Sequence, residues 1–162
     1  MATIQLQHTY IEKNTKITMK TIFLSFFMYI SLSCIAQVSV STSQLNGTKW
    51  QMTNPVFDEE EVVLSFTASI MTDKDHYPKD DYVSELKFKY YLSSSVPVVF
   101  EQSLVGKESK GSFIVYYNHK QNKTSYYQIM TFTPDKLVLL VKGTPNSIGG
   151  GEDISFTYKR LR

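Results

Sequence analysis

The chain has 162 residues, with 17 lysines and arginines, 15 aspartates and glutamates, and a single cysteine, Cys34. One cysteine excludes a disulfide framework, and a nearly balanced charge provides no strong basic excess for binding nucleic acid. The 11 tyrosines and 10 phenylalanines favour strands over helices. No window of ten or more residues shows a clear helical period.

The segment from Met19 to Gln37, MKTIFLSFFMYISLSCIAQ, has the pattern of a secretory signal. Lys20 precedes an uncharged apolar stretch of about fourteen residues, which is shorter than the roughly twenty that a membrane helix needs. Small residues then end the stretch at Ala36. We therefore predict translation from Met19, an upstream extension and cleaved signal peptide over residues 1–36, and a secreted or periplasmic protein without a membrane span.

Cys34 offers a second interpretation, because a bacterial lipoprotein signal ends just before a cysteine that is then lipidated. Here a serine, Ser31, stands where such a signal usually has an aliphatic residue. Soluble export is the favoured prediction, and a lipid anchor at Cys34 is the alternative. Removing residues 1–36 leaves 14 basic and 14 acidic side chains, so nucleic acid is not an expected partner.

Eight strand-like runs follow a polar segment, residues 37–46, which is predicted to be a flexible arm. In the clearest runs apolar and polar residues alternate, which places them on opposite faces of a sheet. The predicted strands are Thr48–Thr53, Glu61–Ile70, Tyr82–Leu92, Val98–Ser103, Ser112–Asn118, Thr124–Thr133, Leu137–Lys142 and Ile154–Arg160.

Short connections between these runs predict antiparallel neighbours, and an open sheet would leave unpaired edges. Eight strands are enough to close a barrel. We therefore predict an all-β fold, an antiparallel up-and-down barrel of about eight strands in residues 47–162, with a two-sheet sandwich as the alternative. The two longer connections, Met71–Asp81 and Gly143–Asp153, are predicted to be functional loops.

The first run begins Leu45-Asn46-Gly47-Thr48-Lys49-Trp50, which resembles the Gly-x-Trp start of lipocalin-like (calycin-type) barrels with one residue more. Other segments also resemble small secreted lipocalin-like proteins of Bacteroidetes: Tyr90–Ser93, Val105–Lys107, Gly111–Val115 and Tyr158–Arg160. In lipocalins this tryptophan packs at the closed end of the barrel, often beside a late arginine. The resemblance therefore implies a structural pair of Trp50 and Arg160, and no particular ligand.

Adjacent tyrosines give the candidate binding residues. Each pair, Tyr90-Tyr91, Tyr116-Tyr117 and Tyr126-Tyr127, places one ring on either face of a strand, so one ring of each is predicted to point inward. Inward tyrosines can line a cavity that is partly apolar and partly polar, although packing in the core is the commoner role. The candidate binding residues are Phe88, Tyr90, Tyr116 and Tyr158.

Other polar segments match no catalytic or metal-binding pattern. The run Asp73–Asp81 offers carboxylates for calcium, but it lacks the spacing of a calcium loop and contains two lysines. The acidic run Asp58–Glu61, the glycines Gly149–Gly151, His76 and His119 also lack a nucleophile, metal or phosphate-loop partner at a suitable spacing. We predict no catalytic residue, no metal and no cofactor.

These patterns favour a secreted or periplasmic, non-enzymatic binding protein for a small apolar or amphipathic ligand. The alternative is a protein-interaction or enzyme-inhibitor module that acts through its long loops. An enzyme, for example a hydrolase that acts on glycans through loop carboxylates, is the third and least favoured interpretation.

Overall fold

A computed structural model describes residues 38–55, 60–143 and 151–162. The predicted start at Met19, the signal peptide and Cys34 lie outside these residues. So do Asp58, Glu59 and residues 144–150 of the connection that ends at Asp153.

The described residues form ten strands, one short α-helix and two 3₁₀ turns. The helix α1 is Thr42–Leu45, and the turns are Pro78–Asp80 and Gln102–Leu104. The strands are β1 (Val40–Ser41), β2 (Lys49–Met52), β3 (Glu61–Phe66), β4 (Ile70–Tyr77), β5 (Tyr82–Ser93), β6 (Lys110–Gly111), β7 (Phe113–Asn118), β8 (Lys123–Phe132), β9 (Lys136–Val141) and β10 (Ile154–Leu161).

Eight of the strands close into one barrel. Strands β2 to β5 and β7 to β10 each pair antiparallel with the next barrel strand along the chain, and β10 returns to pair with β2. Closure satisfies the backbone groups that an open sheet would leave unpaired at its edges. The structure confirms the predicted all-β, antiparallel up-and-down barrel of eight strands and excludes the sandwich.

One barrel strand falls where a loop is predicted. Most of the connection Met71–Asp81 is β4, which pairs with β5 along its full length and with β3 from Met71 to His76. The loop prediction is wrong because charged residues mask the alternation of this strand. Lys74 is exposed, whereas Met71 is buried and Asp73 is half-buried.

The predicted strand Val98–Ser103 is also wrong. Residues 94–101 form an irregular segment, and the turn Gln102–Leu104 follows it. Val98 is 93 % exposed, while Phe100 packs against the outer face of the barrel with its ring centroid 5.5 Å from that of Tyr91. The valines and the preceding proline suggested a strand, but no neighbouring strand pairs with this segment.

The segment predicted to be a flexible arm contains β1 and α1. Strand β1 pairs with β6, and Ser41 and Gln44 form a reciprocal capping box at the start of the helix. Val40 and Leu45 are fully buried in the same core cluster as Trp50. The segment therefore covers one end of the barrel with apolar side chains.

Trp50 lies at the centre of this covered end. Its Nε1 donates a hydrogen bond to Thr48 Oγ1 at 2.8 Å, and Thr48 Oγ1 donates to the carbonyl oxygen of Leu45 at 2.6 Å. The guanidinium carbon of Arg160 lies 5.6 Å from the centroid of the Trp50 ring. Trp50 and Arg160 are thus in contact, as the sequence analysis predicts for this pair.

Candidate binding site in the open half of the barrel

The inward side chains are buried near the covered end and only half-buried towards the opposite end. Along β5, Tyr90 and Leu92 are buried, whereas Leu86 and Phe88 are half-buried. The same gradient runs along β4 and β10. Solvent therefore reaches the interior from the end of the barrel that carries the turns at residues 78–81 and 119–122. We call this part of the interior the open half. It is lined by the half-buried inward side chains of Glu60, Asp73, Asp75, Phe88, Tyr116, Ser125, Tyr127 and Phe156, and at its inner end by Tyr158, which is buried.

Three aromatic rings form a continuous wall of the open half. The ring centroids of Phe88 on β5 and Tyr116 on β7 are 5.0 Å apart. The Tyr116 ring stacks on that of Tyr127 on β8, at 5.2 Å between centroids and 25° between planes. Such contacts hold the rings in place and leave their half-buried faces available to a ligand.

Carboxylates face this wall from β4. Burial, together with the smaller effects of the charges of Asp75 and Glu60, raises the pKa of Asp73 from 3.8 to about 7. Asp73 Oδ1 exposes less than 1 Å² and has no hydrogen-bond partner among the described residues. Burial and Glu60 also raise the pKa of Asp75, which Lys120 partly offsets. The interior therefore holds a carboxyl group at its half-ionised point near neutral pH.

Glu60 has a partner at the rim. The hydroxyl of Tyr77 donates a hydrogen bond to Glu60 Oε1 at 2.6 Å. This hydrogen bond is the main cause that raises the pKa of Tyr77 to about 12, so Tyr77 stays protonated and remains a donor at neutral pH. The carboxylate of Glu60 thus has a hydrogen-bond donor, whereas Asp73 Oδ1 deeper inside has none among the described residues.

The negative charge of Asp73 affects the pKa of three tyrosines in the open half. Burial raises the pKa of Tyr116, Tyr127 and Tyr158, and the negative charge of Asp73 raises each of them further. These tyrosines come from β7, β8 and β10, so Asp73 acts across the interior on three strands that lie away from its own. Asp73 and these three tyrosines therefore interact electrostatically across the interior, and the tyrosines are neutral at physiological pH.

The structure brings three of the four candidate binding residues together. Phe88 and Tyr116 are in contact, and Tyr158 shares the interior with them and with Asp73. Tyr90 instead lies deeper, where its hydroxyl donates to the carbonyl oxygen of Thr67 at 2.8 Å and its ring meets Phe66 edge-on. Tyr90 therefore occupies the packed core and does not line the open half.

The sequence analysis missed Asp73, Asp75 and Tyr127 as lining residues. Tyr127 belongs to one of the three tyrosine pairs, and the register of Ile114 opposite Tyr127 places it inward. The sequence pattern predicts that these carboxylates lie in a solvent-exposed loop. The signal that would have found them is the spacing of Met71, Asp73 and Asp75, which is that of one face of a strand.

The two histidines of the described residues, His76 and His119, lie outside the open half. His76 Nδ1 is 3.2 Å from Glu61 Oε2 near the rim, and the ring of His119 meets Tyr117 on the outer wall. Within residues 38–55, 60–143 and 151–162, no group of three or more histidine, cysteine or acidic residues is arranged to hold a metal ion.

A separate cavity of about 340 Å³ lies on the outer wall, between the segment 94–101 and the barrel. Val99, Phe100 and Tyr117 contribute to its lining. Beside it, Val96 and Val98 are 52 % and 93 % exposed. This surface is distinct from the open half, because Tyr117 and Phe100 lie on the outside of the barrel.

None of the protein-family models, curated proteins or solved structures compared with the chain matches it. Within the part of the chain that the structure describes, no helix is long and apolar enough to cross a membrane. The described residues form a closed β-barrel with one covered end and one open half.

Proposed function

We propose that this chain is a secreted or periplasmic, non-enzymatic binding protein that holds a small amphipathic ligand in the open half of the barrel. The observation that carries the proposal is the gradient of burial. Four inward aromatic side chains of this half, Phe88, Tyr116, Tyr127 and Phe156, are only half-buried, whereas a filled barrel would bury them fully. A ligand that covers them removes apolar surface from water without any rearrangement of the strands.

The chemistry of the lining supports a ligand that is partly polar. A ligand that buries roughly 200 Å² of apolar surface gains about 5 kcal/mol by area, before the entropic cost of association. The hydroxyls of Tyr116, Tyr127 and Tyr158 and the carboxyl of Asp73 would then orient its polar end. This combination, an apolar wall with few polar groups, is typical of small-molecule sites.

Export is supported by the sequence of residues 19–37, with its lysine, apolar stretch and small residues before Gln37. N-terminal sequencing of the protein recovered from the producing cells tests this part of the proposal. The expected first residue is Gln37. A chain that retains Met1 contradicts export by this signal, and acylated Cys34 at the N-terminus supports the lipoprotein alternative.

Binding is tested with two measurements on the exported protein. Native mass spectrometry is expected to show a co-purified small molecule. Fluorescence titration with N-phenyl-1-naphthylamine, a largely uncharged apolar probe, is expected to show one site with a micromolar dissociation constant. A protein that carries no small molecule and does not bind the probe contradicts the proposal.

Neighbouring tyrosines on β8 provide a matched pair of variants. Tyr127→Ala removes a ring from the open half and is expected to weaken binding of the probe at least tenfold. Tyr126→Ala removes a ring from the outer face, where it packs against Phe113 at 5.7 Å, and is expected to leave probe binding unchanged. Circular dichroism confirms that both variants remain folded. Equal weakening by both substitutions would indicate loss of structure rather than loss of a binding contact.

Protein interaction is a second candidate function, and the exposed valines of the segment 94–101 favour it. A triple substitution, Val96→Ser, Val98→Ser and Val99→Ser, is expected to leave probe binding in the barrel unchanged. This second function would be supported by a partner protein that binds the wild-type chain and the Tyr127→Ala variant but does not bind the triple variant.

A further inference from the structure

We propose that the ligand of the open half carries a protonated amine, and that the carboxylate of Asp73 binds this amine. The inference rests on the proposed function, since it names the chemical class of ligand for the same site. It is drawn from an unpartnered buried oxygen, from the charges that surround it and from the aromatic rings beside it.

The oxygen Asp73 Oδ1 is shielded from solvent and accepts no hydrogen bond from a described residue. The residues opposite Asp73 in the two neighbouring strands are Leu64 on β3 and Leu86 on β5, neither of which has a side-chain donor. Buried carboxylate oxygens in folded proteins are nearly always hydrogen-bonded, so an unpartnered one indicates a donor that the chain itself does not supply.

The surrounding charges favour a positively charged donor. The negative charges of Asp75 and Glu60 both oppose the ionisation of Asp73 and raise its pKa. Lys120 acts on Asp75, and Arg160 lies on the Trp50 ring at the covered end. A neutral hydroxyl would donate the hydrogen bond but leave the negative charge of Asp73 uncompensated. A protonated amine supplies both a hydrogen-bond donor and a positive charge.

The aromatic lining favours an organic cation over a metal ion. Calcium needs six to eight oxygen ligands, and the described residues hold no group of three acidic side chains arranged for a metal. The rings of Tyr116, Tyr127 and Tyr158 share the interior with Asp73, and the faces of such rings attract ammonium groups when water is displaced. A carboxylate among aromatic rings is therefore suited to an amine that also bears an apolar group.

The test compares three probes of similar shape by isothermal titration calorimetry. These are 2-phenylethylamine, which is cationic, 2-phenylethanol, which is neutral, and 3-phenylpropanoate, which is anionic. The wild-type protein is expected to bind the amine at least tenfold more tightly than the alcohol, and the anion most weakly. Binding of the alcohol or the anion as tightly as the amine overturns the inference.

Asp73→Asn keeps the shape of the side chain and removes its charge. The ratio of amine to alcohol affinity is expected to fall towards one in this variant. Asp80→Asn is the matched control, because Asp80 is exposed on the turn after β4. An amine preference that survives Asp73→Asn overturns the role of Asp73, even if the preference itself is real.

The pH dependence provides an independent readout. The groups that face Asp73 are Asp75, Glu60, Tyr116, Tyr127 and Tyr158, and the tyrosines stay neutral throughout the range. With its pKa at about 7, Asp73 is mostly protonated at pH 6 and mostly ionised at pH 8. The affinity of the amine is therefore expected to rise about tenfold between pH 6 and pH 8, while that of the alcohol stays constant. Affinity for the amine that does not change with pH contradicts the proposed pairing.

Failure of this inference is distinguishable from failure of the proposed function. If N-phenyl-1-naphthylamine binds the wild-type barrel but the protein does not prefer 2-phenylethylamine over 2-phenylethanol, the open half is a binding site for another class of ligand. If neither this probe nor the three phenyl compounds bind, the proposed function is overturned and the inference with it.

Discussion

Asp73→Asn is expected to stabilise the folded protein at pH 8 and to have little effect at pH 4. The folded pKa of Asp73, about 7, is raised above its ordinary value of 3.8, mainly by burial. The folded state therefore binds the proton more tightly than the unfolded state does. Between pH 3.8 and pH 7 the unfolded chain has lost this proton while the folded chain keeps it, so stability falls as the pH rises through this window.

The size of this effect follows from the two pKa values. A difference of about three pH units between folded and unfolded states corresponds to about 4 kcal/mol, which is fully present as a penalty above pH 7. Asparagine cannot ionise, so the penalty is absent in the variant. The stabilisation by Asp73→Asn is thus expected to grow from near zero at pH 4 to as much as about 4 kcal/mol at pH 8.

Urea denaturation at pH 4 and pH 8, followed by the fluorescence of Trp50, measures this difference, because Trp50 is the only tryptophan and is fully buried. For each variant, the change in the free energy of unfolding on substitution is measured at both pH values. The value at pH 4 is then subtracted from the value at pH 8. Asp80→Asn, on the exposed turn, serves as the control and is expected to give a difference near zero. An Asp73→Asn difference that is zero or negative would refute the argument that Asp73 is an uncompensated buried carboxyl.

Three further predictions concern the covered end of the barrel. Trp50→Ala is expected to destabilise the fold by about 4 kcal/mol. Arg160→Met is expected to destabilise it by less than about 1 kcal/mol, since the arginine adds only a cation–π contact. Thermal unfolding followed by circular dichroism measures both losses of stability, and equal losses would contradict this ranking. Gly111→Ala would place a Cβ 2.0 Å from the carbonyl oxygen of Ser93, so a loss of about 3 kcal/mol is expected in urea denaturation. Leu45→Ala is expected to cost about 3 kcal/mol because Leu45 is fully buried, and a negligible loss in urea would show that residues 38–46 do not belong to the core.

Much of the fold follows from the sequence pattern. The alternation of residues along β5 and β10 predicts that Phe88 and Tyr158 point inward, and the structure places both in the interior. These features are local, since the period of two along a strand depends only on the backbone of that strand.

The tertiary structure decided two things that the pattern obscured. Residues 98–103 have the composition of a strand but find no partner, and Val98 stays exposed. Strand β4 has the composition of a loop, yet it pairs with β5 along its full length and with β3 along most of it. Backbone pairing depends on the neighbours that the barrel supplies, and a polar strand can form where both neighbours are present.

The sequence by itself determined that this is a β-protein whose strands alternate inward apolar and outward polar side chains, with a segment at residues 19–37 that predicts export. Only the tertiary structure placed Asp73 and Asp75 inside the barrel, opposite aromatic rings from distant strands. The physical reason is that a carboxyl group in an isolated strand is as well solvated as in a loop. It becomes a buried, half-ionised group only when closure of the barrel encloses it.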